Sequence, residues 1–378
     1  MVDAVQAVIL AGGKGTRLRP ITADVPKSLV PIANRPLVSH QLRHLAHAGV
    51  TDVLLALGHN AEQFDRVRYF AEALGLNLRV ITEPEPLGTG GALRWCADAG
   101  AFDEDRPLLW LNGDVVASPD IAGLRDFHVD RGAQVTFWLT SVRDVSAFGV
   151  VELGSEGFVE RFLEKPGPEE TDSHLVNAGV LMLDPAVLRR IPPETFFSFE
   201  QGLLPSLVRE RQPLYGFFEG SYWLDIGKPT SYLAANRHVL EGRIDWRPTG
   251  TLAEDGLWVG EGVNIDGLGV IRPAVLGDDV KVEPGAQLFG RTVLGSGVTV
   301  RKGAQLENCV IYDDVEIGHD TEVFGSVVCQ GATIGDNVVL DRTIVGARTV
   351  VGDRNELRGA RLWQDARFEP GVISVVPA

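Results

Sequence analysis

The sequence predicts a two-part chain: an α/β domain built on a mostly parallel sheet, then a parallel β-helix. Three observations predict it. Over the first 240 residues, apolar runs of strand length alternate with segments of helical period, as repeated βαβ units do. From residue 258 onward an apolar residue recurs every five or six positions, the period of short stacked strands. Between these textures, Glu241 to Gly256 is polar, carries Pro248, Gly250 and Asp255, and reads as a connector.

A chain of 378 residues exceeds one ordinary core and calls for two domains. The net charge of −16 argues against a nucleic-acid partner and against an anionic membrane surface. A negative protein that handles phosphates must concentrate its cations. Of only six lysines, three (Lys14, Lys27 and Lys165) fall inside the motifs below. Cys96, Cys309 and Cys329 form no CxxC, which suits a reduced cytoplasm. No signal-like segment and no apolar run near ~18 residues is present. The expectation is a cytoplasmic protein with neither nucleic-acid nor membrane partners.

In the first part, strands are expected at 4–10, 52–57, 78–82, 107–111, 134–140 and 176–183, with helices at Pro36–Ala48 and Ala61–Leu74. In such sheets ligands sit beyond the carboxyl ends of the strands. The string LAGGKGTRLRP, residues 10 to 20, leaves the first strand there. Its glycines permit a sharp turn and close approach to a ligand. Lys14, Arg17 and Arg19 add the positive charge that a polyphosphate needs. The string is neither GxxxxGK[ST] nor GxGxxG. Lys27 is a solvated loop lysine or, ten residues past Arg17, lies in a segment that can fold back over the same phosphates.

Asp114 ends the next strand in LNGD, where a carboxylate above a polyphosphate suits Mg²⁺. A helix cap is the plainer role, but Ser118 or Asp120 serves that better for the helix expected near Pro119. Asp225, in WLDIG, is a turn residue or a second carboxylate. Mg²⁺ takes one or two carboxylates plus phosphate oxygens. Glu164 and Lys165 form a surface ion pair, or else bind sugar hydroxyls and a sugar phosphate. Asn177 would add a polar contact to that sugar. A second Gly-rich loop, EPLGTGGA at 85–92, leads into a helix and could wrap a base.

In the second part, Leu294, Ile311, Val328, Val345 and Leu362 are spaced by 17, three short strands per coil with one inward residue each. The series starts at Val259, Ile265 and Ile271. The expected boundaries are a catalytic domain at 1–240, a linker at 241–257, a β-helix at 258–367, and a capping or frayed tail at 368–378.

The Leu10–Pro20 string resembles the signature of the nucleotide-sugar pyrophosphorylases, the sugar-1-phosphate nucleotidyltransferases. LNGD, EKP, NAG and WLDIG follow in the family's order, across nearly the whole chain. The resemblance implies a Rossmann-like nucleotidyltransferase domain and a left-handed β-helix of hexapeptide repeats. EPLGT and YWLDIGKP look closest to the mannose-1-phosphate guanylyltransferase branch. Carried over by residue, it implies nucleotide binding by Leu10, Ala11, Gly12, Gly13, Lys14, Gly15, Thr16, Arg17, Lys27, Glu85, Gly88, Thr89, Asn112 and Asp114. It implies sugar-phosphate binding by Gly149, Glu164, Lys165, Asn177 and Asp225. Asp114 and Asp225 would hold Mg²⁺, and with Arg17 and Lys27 would carry catalysis. The chain has Gly90-Gly91 where guanylyltransferases of the branch usually have Ala-Gly, which is expected to loosen the base-reading loop.

The implied partners are an NTP, with GTP favoured over thymidylyl or adenylyl donors, and mannose-1-phosphate or a related hexose or cyclitol phosphate. A homo-oligomer (dimer, trimer or tetramer) assembled with the β-helix is also implied. A non-catalytic relative would lack the signature Arg, Lys or Asp, and all are present. An acyltransferase on the β-helix would need a catalytic His. The only His after residue 238 is His319, beside Asp320.

Overall fold

The computed structural model describes residues 5–13, 15–58, 61–254, 256–264 and 269–376. The chain divides into two compact units, Met1–Gly13 with Gln41–Leu224, and Lys14–His40 with Asp225–Ala378. The segment after the first Gly-rich turn therefore belongs with the C-terminal residues, a partition that the α/β pattern of the sequence does not announce.

In the first unit, β1 (Gln6–Leu10), β2 (Asp52–Leu57), β3 (Asn77–Thr82) and β4 (Leu108–Asn112) run parallel in the order β4-β1-β2-β3. Ala7, Val8 and Ile9 are all buried, as a strand covered on both faces requires. After the short β5 (Val115–Ala117) come β6 (Val135–Ser141), β7 (Gly149–Leu153), β8 (Val159–Glu164), β9 (Leu175–Leu183) and β10 (Leu214–Phe217). β9 pairs antiparallel with β4, β6 and β7, and β8 antiparallel with β7. Among the described residues these strands, β5 apart, make a nine-stranded, mostly parallel sheet. The β7–β8 hairpin escapes a search for apolar runs because Glu152, Glu160 and Arg161 interrupt it. The helix expected at Ala61–Leu74 opens as a 3₁₀ turn, Ala61–Phe64, before the α-helix Asp65–Ala73.

In the second unit three sheets of short parallel strands stack into a β-helix. Leu294, Ile311, Val328, Val345 and Leu362 pair in register down one sheet. Their side chains fill one continuous core. Earlier coils are one residue longer, with Leu276 level with Leu294. Hydroxyls close the corners: the Thr343 amide donates to Ser326 Oγ at 2.9 Å, and the Val338 amide to Thr321 Oγ1 at 3.1 Å.

One inward position differs from expectation. Val270, not Ile271, pairs with Leu288, and Ile271 is 56 % exposed, because the 18-residue coil shifts the phase by one. Ile265 lies outside the described residues. Residues 373–375, expected in the tail, form a strand that pairs with Glu356–Arg358. Thr251–Glu254 and Leu257–Val259, at the expected connector, form an antiparallel pair heading one stack.

Candidate active site

Strand ends set the geometry in the first unit. Leu10 is level with Ala56 and Asn112, and Leu57 with Thr82. The segments that follow these residues therefore leave the same carboxyl edge. The Ala11 amide donates to Ala56 O at 2.9 Å, and the Gly113 amide to Leu10 O at 2.8 Å. A Cβ on Gly12 would come within 3.2 Å of both the Gly58 nitrogen and Glu83 Oε1. A Cβ on Gly113 would lie 2.8 Å from Leu10 O. Both glycines are thus close-packing positions, whereas a Cβ on Gly13 would meet nothing within 4 Å.

Asp114 stands in the tight turn between β4 and β5. Gln41 braces that turn, its Nε2 donating to Asn112 O at 2.9 Å and Val115 O at 3.0 Å. Asn112 turns its own carboxamide oxygen to Trp110 Nε1 at 3.0 Å. Gln41 is 4 % exposed, and sequence reasoning missed it because nothing in a helix sequence marks one glutamine as a brace. The helix after Pro119 is capped by Asp120, which accepts from the Gly123 amide at 3.0 Å. Asp114 is thereby spared the cap.

Glu83 was also missed. It follows β3 as Asp114 follows β4, and that parallel was the available signal. Its carboxylate accepts from the Leu87 amide at 2.8 Å, fixing the turn into the helix Gly88–Asp98. Burial pushes its carboxyl above the ordinary value. Glu85, two residues on, is exposed.

The glycines of the second loop pack rather than loosen. Gly90 and Gly91 both donate to Phe197 O, at 2.9 and 3.0 Å, inside the first helical turn. A Cβ on Gly91 would lie 2.6 Å from Thr195 O, and one on Gly88, at φ 73°, 2.8 Å from Phe197 O. The Thr89 hydroxyl donates to Glu200 Oε2 at 2.6 Å and accepts from the Phe199 amide at 3.0 Å. Close backbone approach, not flexibility, is the reason for the run of glycines.

Gly149 and Glu164 face each other across β7 and β8, and a Cβ on Gly149 would lie 3.0 Å from Glu164 Oε2. Lys165 Nζ lies 3.1 Å from Glu164 Oε1, the lysine 60 % and the glutamate 21 % exposed. Asn177 Oδ1 accepts from the Gly179 amide at 3.0 Å. Gly179, at φ 75°, opposes Asn112, whose Nδ2 would be 2.8 Å from a Cβ there. Trp223 Nε1 donates to Ala178 O at 2.8 Å, holding the strand Trp223–Asp225 (β11) that ends in Asp225.

The second unit gathers the remaining residues. Gly15, at φ 57°, opens a 3₁₀ turn, Thr16–Leu18, and its carbonyl accepts from Thr22 Oγ1 at 2.6 Å. A Cβ on Gly15 would lie 3.2 Å from Lys27 Cβ, so the chain does fold back as its spacing predicted. Lys27 Nζ lies 3.6 Å from Asp225 Oδ1. A Cβ on Gly227 would fall 2.6 Å from Asp225 Oδ2 and 3.1 Å from Arg17 Cζ. Arg17, Lys27 and Asp225 therefore share one cluster, while Lys14 lies outside the described residues.

Among the described residues no group of three or more His, Cys, Asp or Glu is placed to hold a metal. An ion at Asp114 or Asp225 must then take further ligands from substrate or water, as Mg²⁺ does at phosphates. His319 Nδ1 is 3.1 Å from Asp336 Oδ1 on an exposed corner.

These features define a nucleotidyl transferase, and the chain belongs to that family: the model described as nucleotidyl transferase matches residues 6–242, and one described as GMPPB C-terminal domain matches residues 259–365. It is similar to a mannose-1-phosphate guanylyltransferase of Mycobacterium tuberculosis, at 35 % identity over 83 % of this chain and 81 % of the relative. A mannose-1-phosphate guanyltransferase of Saccharomyces cerevisiae is 32 % identical over 90 % of this chain and 100 % of its own length. The crystal structure of HddC from Yersinia pseudotuberculosis complexed with GMP-PN matches with a TM-score of 0.53 and 27 % identity, over 62 % of this chain and 99 % of that one.

Proposed function

We propose that this protein is a sugar-1-phosphate nucleotidyltransferase joining GTP and mannose-1-phosphate, or a closely related hexose or cyclitol phosphate, to give the GDP-sugar and pyrophosphate. The observation that carries the reading is the Arg17–Lys27–Asp225 cluster following a Gly-rich turn at a carboxyl strand edge. The guanylyltransferase names of the relatives support the base and the sugar.

A phosphate oxygen of the sugar-1-phosphate attacks the α-phosphorus in line, the bond from that phosphorus to the β-phosphate bridging oxygen breaks, and pyrophosphate leaves. The nucleophile is already an anion, so no general base is required. Catalysis is then positioning and charge neutralisation. Arg17 and Lys27 offset charge on the departing pyrophosphate. Lys165 binds the sugar phosphate, and Glu164, Asn177 and Gly149 receive the sugar. Asp114 and Asp225 would hold Mg²⁺, which would supply charge neutralisation at the phosphates. Gly12, Gly13 and Gly15 let the backbone approach the triphosphate, and the Glu85–Thr89 turn lies at the base.

Among the described residues no helix is long and apolar enough to cross a membrane, and all three cysteines are free and buried. Both suit a cytoplasmic enzyme. The β-helix, whose last coil exposes Trp363, Ile373 and Val375, would contribute to a homo-oligomer, which light scattering would measure.

Pyrophosphate release from five nucleoside triphosphates against several sugar-1-phosphates tests the reading. GTP with mannose-1-phosphate is expected to lead. A tenfold preference in kcat/KM for ATP or UTP, about 1.4 kcal/mol, would overturn the assignment of the base.

A further inference from the structure

We propose that the β-helix positions the triphosphate-binding segment: Arg348, Tyr312 and the Leu294 carbonyl hold residues 24–34, and with them Lys27, in binding geometry. The inference rests on the reading of Lys27 given above. All of these groups belong to the second unit.

On the N-terminal side of Lys27, Arg348 Nη2 donates to Asp24 Oδ2 at 2.9 Å. The same guanidinium is held by Asp365, with Nε to Oδ1 at 2.7 Å and Nη2 to Oδ2 at 2.9 Å. Arg348 occupies, at φ 56°, the left-handed corner that Asp279, Gly297, Asp314, Gly331 and Asp365 fill in the other coils. In this slot a long cation replaces a short residue, and it reaches Asp24.

On the C-terminal side, Pro31–Ile32 and Arg35–Pro36 form a small hairpin turned by Ala33 and Asn34, at φ 49° and 62°. Asn34 Nδ2 donates to Leu294 O at 2.5 Å. Tyr232 Oη donates to Pro31 O at 2.7 Å and lies 2.9 Å from Tyr312 Oη. Since the Tyr232 proton is committed to Pro31, Tyr312 is the donor of that second bond. Burial raises both phenols, so they remain proton donors at neutral pH.

Between the two anchors lies only the stretch from Val25 to Val30. Its 3₁₀ turn is closed by the Leu29 amide to Pro26 O at 2.8 Å and the Val30 amide to Lys27 O at 3.3 Å. A single 3₁₀ turn is a weak element, so its two ends fix where Lys27 points.

The test compares Arg348→Gln with Arg348→Gln/Tyr312→Phe in the full chain, with the preferred nucleoside triphosphate as variable substrate. Arg348→Gln is expected to raise KM for the nucleotide about two- to fivefold, the range of an exposed ion pair, and the double variant roughly tenfold. KM for the sugar phosphate is expected to stay constant, and Arg348→Lys to restore part of the loss. Amide exchange over residues 24–36 should quicken in step. Arg301→Gln, which breaks the pairs with Glu283 and Glu316 elsewhere on the β-helix, should leave the nucleotide KM unchanged. Unchanged nucleotide KM and unchanged exchange in the double variant would overturn the proposal, as would an equal rise with Arg301→Gln. If Lys27→Met leaves the nucleotide KM intact, the functional reading of Lys27 fails instead, a result distinguishable because exchange over 24–36 is read separately.

Discussion

Lys27 Nζ lies 3.6 Å from Asp225 Oδ1, with the lysine side chain 9 % and the aspartate 23 % exposed. Burying a charge is tolerated only with compensation nearby, and an incoming triphosphate supplies a stronger one than a single carboxylate.

Lys27→Met should lower kcat/KM for the nucleotide on the order of a hundredfold, the effect of losing one preorganised cation, while the protein remains folded by circular dichroism. Steady-state kinetics with varied nucleotide check this, and a loss below threefold would remove Lys27 from the triphosphate site.

Asp114→Asn and Asp225→Asn keep shape and polarity but remove a charge. Each should lose on the order of a hundredfold in kcat. If both act through one ion, the double variant loses far less than the product of the single losses. Near-wild-type turnover of either single variant at saturating Mg²⁺ would take that residue out of the metal site.

Chelation by EDTA should abolish pyrophosphate release, and added Mg²⁺ should restore it. Activity that survives exhaustive chelation would mean that cationic side chains alone carry the neutralisation.

Gly91→Ala places a methyl 2.6 Å from Thr195 O, a clash with backbone. It should destabilise the fold by about 1–3 kcal/mol, read as a lower Tm by calorimetry. An unchanged Tm would show that the contact relaxes freely.

His128 is 4 % exposed, with Nδ1 2.8 Å from Thr136 Oγ1, and burial depresses its pKa to about 4. Between the ordinary value of 6.5 and about 4, the unfolded chain binds a proton that the folded one refuses. Stability is therefore fully present above 6.5 and declines as pH falls through that window, by on the order of 3 kcal/mol. Urea titrations from pH 7 to 4 should show this slope flatten in His128→Gln.

The sequence by itself determined the class of each part. Continuous apolar strands such as Val8–Ile9 and Leu108–Leu111 can only be buried on both faces, and the 17-residue spacing from Leu294 to Leu362 admits one stacked register. It also marked Arg17, Lys27, Asp114 and Asp225, because glycine turns and strand-end carboxylates leave local signals. Only the tertiary structure set Gln41 against the turn that carries Asp114, and Glu83 against the Leu87 amide. Gln41 and Glu83 act on partners through orientation, which composition does not encode. The placement of Lys14–His40 with the β-helix rests on bonds such as Asn34 to Leu294 and Arg348 to Asp24. Those bonds join residues hundreds of positions apart and have no periodicity to betray them.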